Sequence, residues 1–173
     1  MKKSSFDEIV RALNEADVPF LVVGGIAVIH HGYGRLTQDV DIVIRLEPSI
    51  IHRAFEALGR IDYRPKLPVT ADQFADTNLR ETRKHDKGMR VLTFWSDRHR
   101  ETPLDVFVEE PFDFSREYAS ADTQELLPGL KVRIVNLSTL LAMKRIAGRS
   151  QDMADIDELN LLHGKPSSYD EEA

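Results

Sequence analysis

The sequence predicts an α/β (α+β) chain, a mixed β-sheet flanked by helices with a short C-terminal helical extension. Three observations point there. Helical and strand periodicities alternate over the first third of the chain. Strand-like segments then gather between residues 89 and 135. Two further helical segments follow over residues 138–163.

The elements follow in order. Ser5 and Glu8 read as a capping box, and Phe6, Ile9, Val10 and Leu13 then fall on one helical face. Asp17-Val18-Pro19 ends that helix. Residues 20–23, Phe-Leu-Val-Val, form a wholly apolar run expected to be a buried strand. Gly24-Gly25 follows, and residues 26–31 read as a short helix broken by Gly32-Tyr33-Gly34. Residues 39–46 alternate cleanly as a second strand, with Val40, Ile42 and Ile44 on one side and Asp39 and Asp41 on the other. A helix with Ile50, Ile51, Ala54, Phe55 and Leu58 as its stripe comes next, with Gly59 at its end. Residues 61–64 suggest a short strand, 69–84 a partly helical polar stretch, and Lys87-Gly88 a turn. Residues 89–95 and 104–108 read as neighbouring strands, with Phe94 and Trp95 in the core, and 131–135 as another strand. Ser138 is expected to cap a helix running to Ala147 and ended by Gly148. Ser150 is expected to cap a last helix with Met153, Ile156, Leu159 and Leu162 as its apolar stripe, closed by Gly164. Residues 1–165 thus read as one domain, and the polar, acidic 166–173 as a disordered tail.

Bulk properties narrow the function. A chain of 173 residues, 42% hydrophobic and 30% charged, has the profile of one globular domain. It contains no cysteine, which excludes thiolate nucleophiles, thiolate metal sites and disulfides. A net charge of −6 argues against broad, sequence-independent nucleic-acid binding and suits clustered carboxylates. No apolar run approaches a membrane span, and no apolar core follows the basic start, so the expected location is the cytoplasm.

The informative stretch runs from Gly24 to Asp41. Residues i and i+2 of a strand share a face, so Asp39 and Asp41 can lean together on a cation. Without one they repel, and one would tend to hold a proton. All-oxygen ligation favours Mg²⁺ or Mn²⁺. Asp105 is the best third carboxylate. It sits mid-strand, with Leu104, Val106 and Val108 forming the opposite, core-facing row, a setting in which an unpaired Asp is costly. Gly24-Gly25, between strand and helix, allows close backbone approach to a phosphate. Arg35 and Thr37 add charge and hydrogen bonding at the same mouth.

These residues resemble a known family. Gly24-Gly25, then Arg35-Leu36-Thr37-Gln38-Asp39-Val40-Asp41, then Asp105 on a distant strand, is similar to the signature of the nucleotidyltransferase superfamily, with its polymerase-beta-like fold. Within it the chain resembles minimal bacterial members: AbiEii-type toxins and the lincosamide and aminoglycoside nucleotidyltransferases. Lys144 to Ile156 is similar to the Lys…Arg-x-x-Asp-x-x-Asp-Ile segment of those members. The resemblance covers residues 20–46, 103–109 and 138–160. One departure stands out: Ile26 follows the glycine pair where the family commonly has Ser.

The resemblance implies transfer of an NMP from an NTP to an acceptor hydroxyl, with pyrophosphate released. Asp39, Asp41 and Asp105 would be catalytic and hold the metals. Gly24, Gly25, Arg35, Thr37 and Lys144 would bind the nucleotide. The acceptor could be a tRNA, a protein or a small molecule, and a cognate antitoxin protein is a possible partner. Plainer readings stand beside these. Asp-x-Asp alone is common. Lys144 borders an apolar stripe, where lysines snorkel. Arg149 with Asp152 or Asp155 is commonly an intrahelical pair. The six histidines, His30-His31 included, show no persuasive ligand spacing. Arg80, Arg83, Lys84, Lys87 and Arg90, with Arg98 and Arg100 beyond, read as a solvated basic face or, more weakly, an RNA-receiving one. The rival functions are a degenerate nucleotide- or partner-binding module without turnover, and phosphodiester hydrolysis at the same metals.

Overall fold

A computed structural model describes residues 1–164. The elements are α1 (Lys3–Glu15), β1 (Phe20–Val23), α2 (Gly24–His30), β2 (Val40–Ile44), α3 (Pro48–Arg60), β3 (Arg64–Pro65), α4 (Ala71–Ala75), α5 (Thr77–Lys87), β4 (Val91–Trp95), β5 (Leu104–Phe107), α6 (Phe114–Ser120), β6 (Asp122–Leu127), β7 (Leu130–Ile134), α7 (Leu137–Ala147) and α8 (Ser150–Leu162). The expected tail at 166–173 lies outside the described residues.

The strands form one mixed sheet in the order β3-β4-β5-β2-β1-β7-β6. β2 pairs antiparallel with β1 and parallel with β5, and β1 pairs parallel with β7. This is the mixed α+β architecture expected. The four residues of β1 are all buried, as a fully apolar run dictates. In β2 only Asp41 escapes full burial. α1 packs on α3 and β7, α2 on β1, β2 and α7, and α7 on α8. Among the described residues no helix is long and apolar enough to cross a membrane.

Several local expectations are corrected. Ser5 does not cap α1, which starts at Lys3; it is buried and shares a 2.9 Å hydrogen bond with His99 Nδ1. Gly59 is the penultimate residue of α3, at the end expected, with Ile61 as the C-cap. Ser138 and Ser150 sit within the first turns of α7 and α8, whose N-caps are Asn136 and Arg149. Gly148 does end α7, in the left-handed conformation. Trp95 is 43% exposed at the end of β4, while Phe94 is in the core. Arg80 is not solvated: it is buried and donates to the carbonyl oxygen of Phe74 and to Thr77 Oγ1.

The largest correction concerns α8. Its buried row is Asp152, Asp155, Ile156, Leu159 and Asn160, while Met153 and Leu162 are exposed. The helix is rotated to carry two carboxylates inward, because cations from elsewhere meet them there. Two elements lacked a sequence signal. β6 is an almost wholly exposed edge strand without apolar alternation, held by its ladder with β7. α6, seven residues capped by Asp113, is too short to show a period.

Candidate functional site

The site grows from the register of three strands. On one flank of β2, Asp41 stands opposite Asp105 of β5. On the other, Asp41 stands opposite Val23, the last residue of β1. Asp39 lies one residue before β2 begins. One carboxylate oxygen from each of Asp39, Asp41 and Asp105 lies within 4.8 Å of the other two. The three acids expected from sequence therefore share one face at the centre of the sheet.

Their electrostatics are unfavourable without a cation. Burial, and then the charges of Asp39 and Asp105, push the Asp41 carboxyl up from 3.8 to about 7. Arg149 and the backbone N–H of Gly25 act in the opposite direction. Burial also raises Asp105, opposed by the Thr93 hydroxyl, with Asp39 raising it further and Lys66 lowering it. Asp105 Oδ1 is buried and has no hydrogen-bond partner. Thr37 Oγ1 donates to Asp39 Oδ1 at 3.3 Å. An orphaned carboxylate oxygen within an all-oxygen donor set fits Mg²⁺ or Mn²⁺. A cation there would return these groups to their charged forms.

The glycine pair has a close-packing reason. Gly24 has φ +62°, and a Cβ there would lie 2.0 Å from Asp41 Oδ2. A Cβ on Gly25 would lie 2.4 Å from Thr37 Oγ1 and 3.2 Å from Arg35 Nη2. Gly24 thus lets the backbone pass over the carboxylate, and Gly25 lets the 31–39 loop close against α2.

Arg35 and Lys144 meet each other's partner rather than standing free. Arg35 Nε lies 2.9 Å from Asp155 Oδ1, and its Nη2 donates to Asp155 Oδ2 at 3.1 Å. Lys144 is buried and donates to Asp155 Oδ2 at 2.6 Å and to Asp152 Oδ1 at 3.1 Å. Gln151 Nε2 completes the shell of Asp155 at 3.0 Å. Fully buried Asp155 therefore ties the loop carrying Thr37 and Asp39 to the last two helices.

Three residues near the acids were not singled out from sequence as site residues. Arg149 does make the expected pair with Asp152, its Nε at 2.7 Å from Oδ2. Its exposed guanidinium also feels Asp41 and Asp39. Thr93 stands opposite Asp105 across the β4–β5 ladder, and Lys66 follows β3. Only the sheet register brings Thr93 and Lys66 near Asp105, so linear spacing carries no signal for them.

No known family's model matches the chain, and no curated protein matches it. Among solved structures it is similar to the crystal structure of JHP933 from Helicobacter pylori, at 15% identity and a TM-score of 0.48. The match covers 91% of this chain and 65% of that one, so the chain spans less than two-thirds of that protein's length.

Proposed function

We propose that this chain is a Mg²⁺- or Mn²⁺-dependent nucleotidyltransferase. The observation that supports it most is the convergence of Asp39, Asp41 and Asp105, with Asp105 Oδ1 buried and unpartnered. Divalent ions held by these carboxylates would supply Lewis-acid polarisation of the phosphate and neutralise its charge. Asp39, Asp41 and Asp105 would hold the ions, and Asp105 would also help draw the proton from the acceptor hydroxyl. The acceptor oxygen bonds to the α-phosphorus of an NTP as the bond to the bridging oxygen breaks, and pyrophosphate leaves.

The backbone at Gly24 and Gly25 faces the triphosphate, and exposed Arg149 offers it a guanidinium at the same mouth. Thr37 orients Asp39. Arg35 and Lys144 act through Asp155, holding the loop rather than touching nucleotide. The acceptor is a tRNA end, a protein side chain or a small hydroxylated molecule, in the manner of toxin-type members. A cognate antitoxin is a partner in that setting, and the cytoplasm its location.

The test is incubation with each α-³²P-labelled NTP, Mg²⁺ and total cell extract, followed by separation of RNA, protein and small molecules. Label should enter one fraction with pyrophosphate released, and Asp39→Asn and Asp41→Asn should abolish it. Equal labelling by those variants refutes the reading. Metal-dependent NTP binding without labelling identifies a non-catalytic module, and release of free phosphate or nucleotide identifies a hydrolase.

A further inference from the structure

A second group of potential ligands lies away from the three acids. His30 closes α2, His31 follows it, and Asp122 opens the edge strand β6. One donor atom from each lies within 4.8 Å of the other two. We propose that His30, His31 and Asp122 form a separate site for a borderline divalent transition-metal ion, Zn²⁺ above all.

The donor set decides the ion. Two imidazoles and one carboxylate suit Zn²⁺ and disfavour Mg²⁺, whereas the carboxylate trio has the opposite preference. Zn–N and Zn–O bonds of about 2.0–2.2 Å place tetrahedral ligands roughly 3.4 Å apart. Donor atoms within 4.8 Å of one another must draw together by up to about 1.4 Å to reach that spacing.

The hydrogen bonding is that of prepared ligands. His31 Nε2 donates to the Val135 carbonyl at 2.8 Å. That bond fixes the ring orientation and leaves Nδ1 with the lone pair, as a backbone carbonyl does for metal-bound histidine. His30 Nδ1 shares a 3.2 Å hydrogen bond with Gln124 Oε1, which turns Nε2 towards Asp122 Oδ2, also at 3.2 Å. With Nδ1 held by Gln124, Nε2 is the ring nitrogen placed to share an ion with the carboxylate. The two rings meet edge to face, with centroids 5.0 Å apart.

The position gives the ion a structural task. β6 is almost wholly exposed and adds little to the core. Asp122 pairs with Ile134 across the β6–β7 ladder, next to Val135. A metal at this point joins the start of β6 to the end of α2, the helix that begins with Gly24-Gly25. Three protein ligands leave a fourth position for water.

The test uses untagged full-length protein stripped with EDTA, in an Asp39→Asn/Asp41→Asn background that disables the other candidate site. Calorimetric titration with ZnCl₂ should show one equivalent bound, and Co²⁺ should give the intense visible absorption of tetrahedral nitrogen ligation. Affinity should fall by more than about tenfold in His30→Ala, His31→Ala and Asp122→Asn. The change at exposed Asp122 guards against simple misfolding. His85→Ala, on exposed α5, should leave affinity unchanged. Zn²⁺ affinity that is unaltered by all three ligand changes, or that falls equally in His85→Ala, overturns the site. So does a Co²⁺ form with only the weak spectrum of all-oxygen coordination.

Discussion

Replacing Asp41 by Asn should stabilise the metal-free protein at neutral and alkaline pH while removing its response to Mg²⁺ or Mn²⁺. Burial, Asp39 and Asp105 together hold the Asp41 carboxyl at about 7 instead of 3.8. Each tenfold change in proton affinity is about 1.4 kcal/mol, so the ionised side chain opposes folding by at most roughly 4 kcal/mol. Asp41 keeps some solvent exposure, which brings the expected effect to about 1–3 kcal/mol. The sign follows from proton counting. Between pH 4 and 7 the folded state holds a proton that the unfolded state has released. Stability from this group is complete below about pH 4 and lost as pH rises through about 7.

Urea denaturation in EDTA at pH 4.5 and pH 8 provides the assay. The advantage of Asp41→Asn over wild type should be larger at pH 8 by that amount. The amide still has an oxygen to accept the Gly25 N–H, so packing is retained. Added Mg²⁺ or Mn²⁺ should reverse the order: wild type gains about 2.7 kcal/mol at a concentration 100 times the dissociation constant, and the variant gains little. A variant that is less stable than wild type at pH 8 in EDTA, or that keeps the full metal response, refutes the argument.

Other expectations rest on single contacts. Gly24→Ala places a Cβ against Asp41 in a left-handed backbone, costing about 1–3 kcal/mol from conformation alone. Thermal melts should show that loss and no metal-induced rise. Asp155→Ala strips Arg35 and Lys144 of a buried counter-charge and should destabilise the fold by about 3–5 kcal/mol in denaturant titrations; a loss below about 1 kcal/mol would show that the network is not structural. Thr93→Val removes a hydroxyl that lowers Asp105, so a carboxyl ¹³C NMR titration in EDTA should find Asp105 titrating at higher pH than in wild type.

Much of the site was legible in the linear order because its chemistry contradicts its surroundings. Asp41 and Asp105 sit on strands whose other residues are apolar, where an unpaired carboxylate is costly, and Asp39 stands one residue before the first of those strands. Gly24-Gly25 interrupts the passage from strand to helix. The same logic misjudged α8, whose Met153 and Leu162 matched the helical period yet face outward. Period alone cannot tell an apolar stripe from a face of buried carboxylates whose partners, Arg35 and Lys144, come from other elements. Lys144, too, pairs with Asp152 and Asp155, contacts that its own helical spacing does not signal.

The amino-acid order by itself determined the alternation of strand and helix, the apolar rows that fill the core, and the chemical character of the acidic residues, since these follow from local periodicity and residue type. Only the tertiary structure decided that Asp41 and Asp105 stand side by side, that Gly24 leaves room for a carboxylate, and that Asp155 anchors the loop through Arg35. Those facts depend on which strands pair and in what register. A one-residue shift in that register would turn the same carboxylates to the opposite face of the sheet.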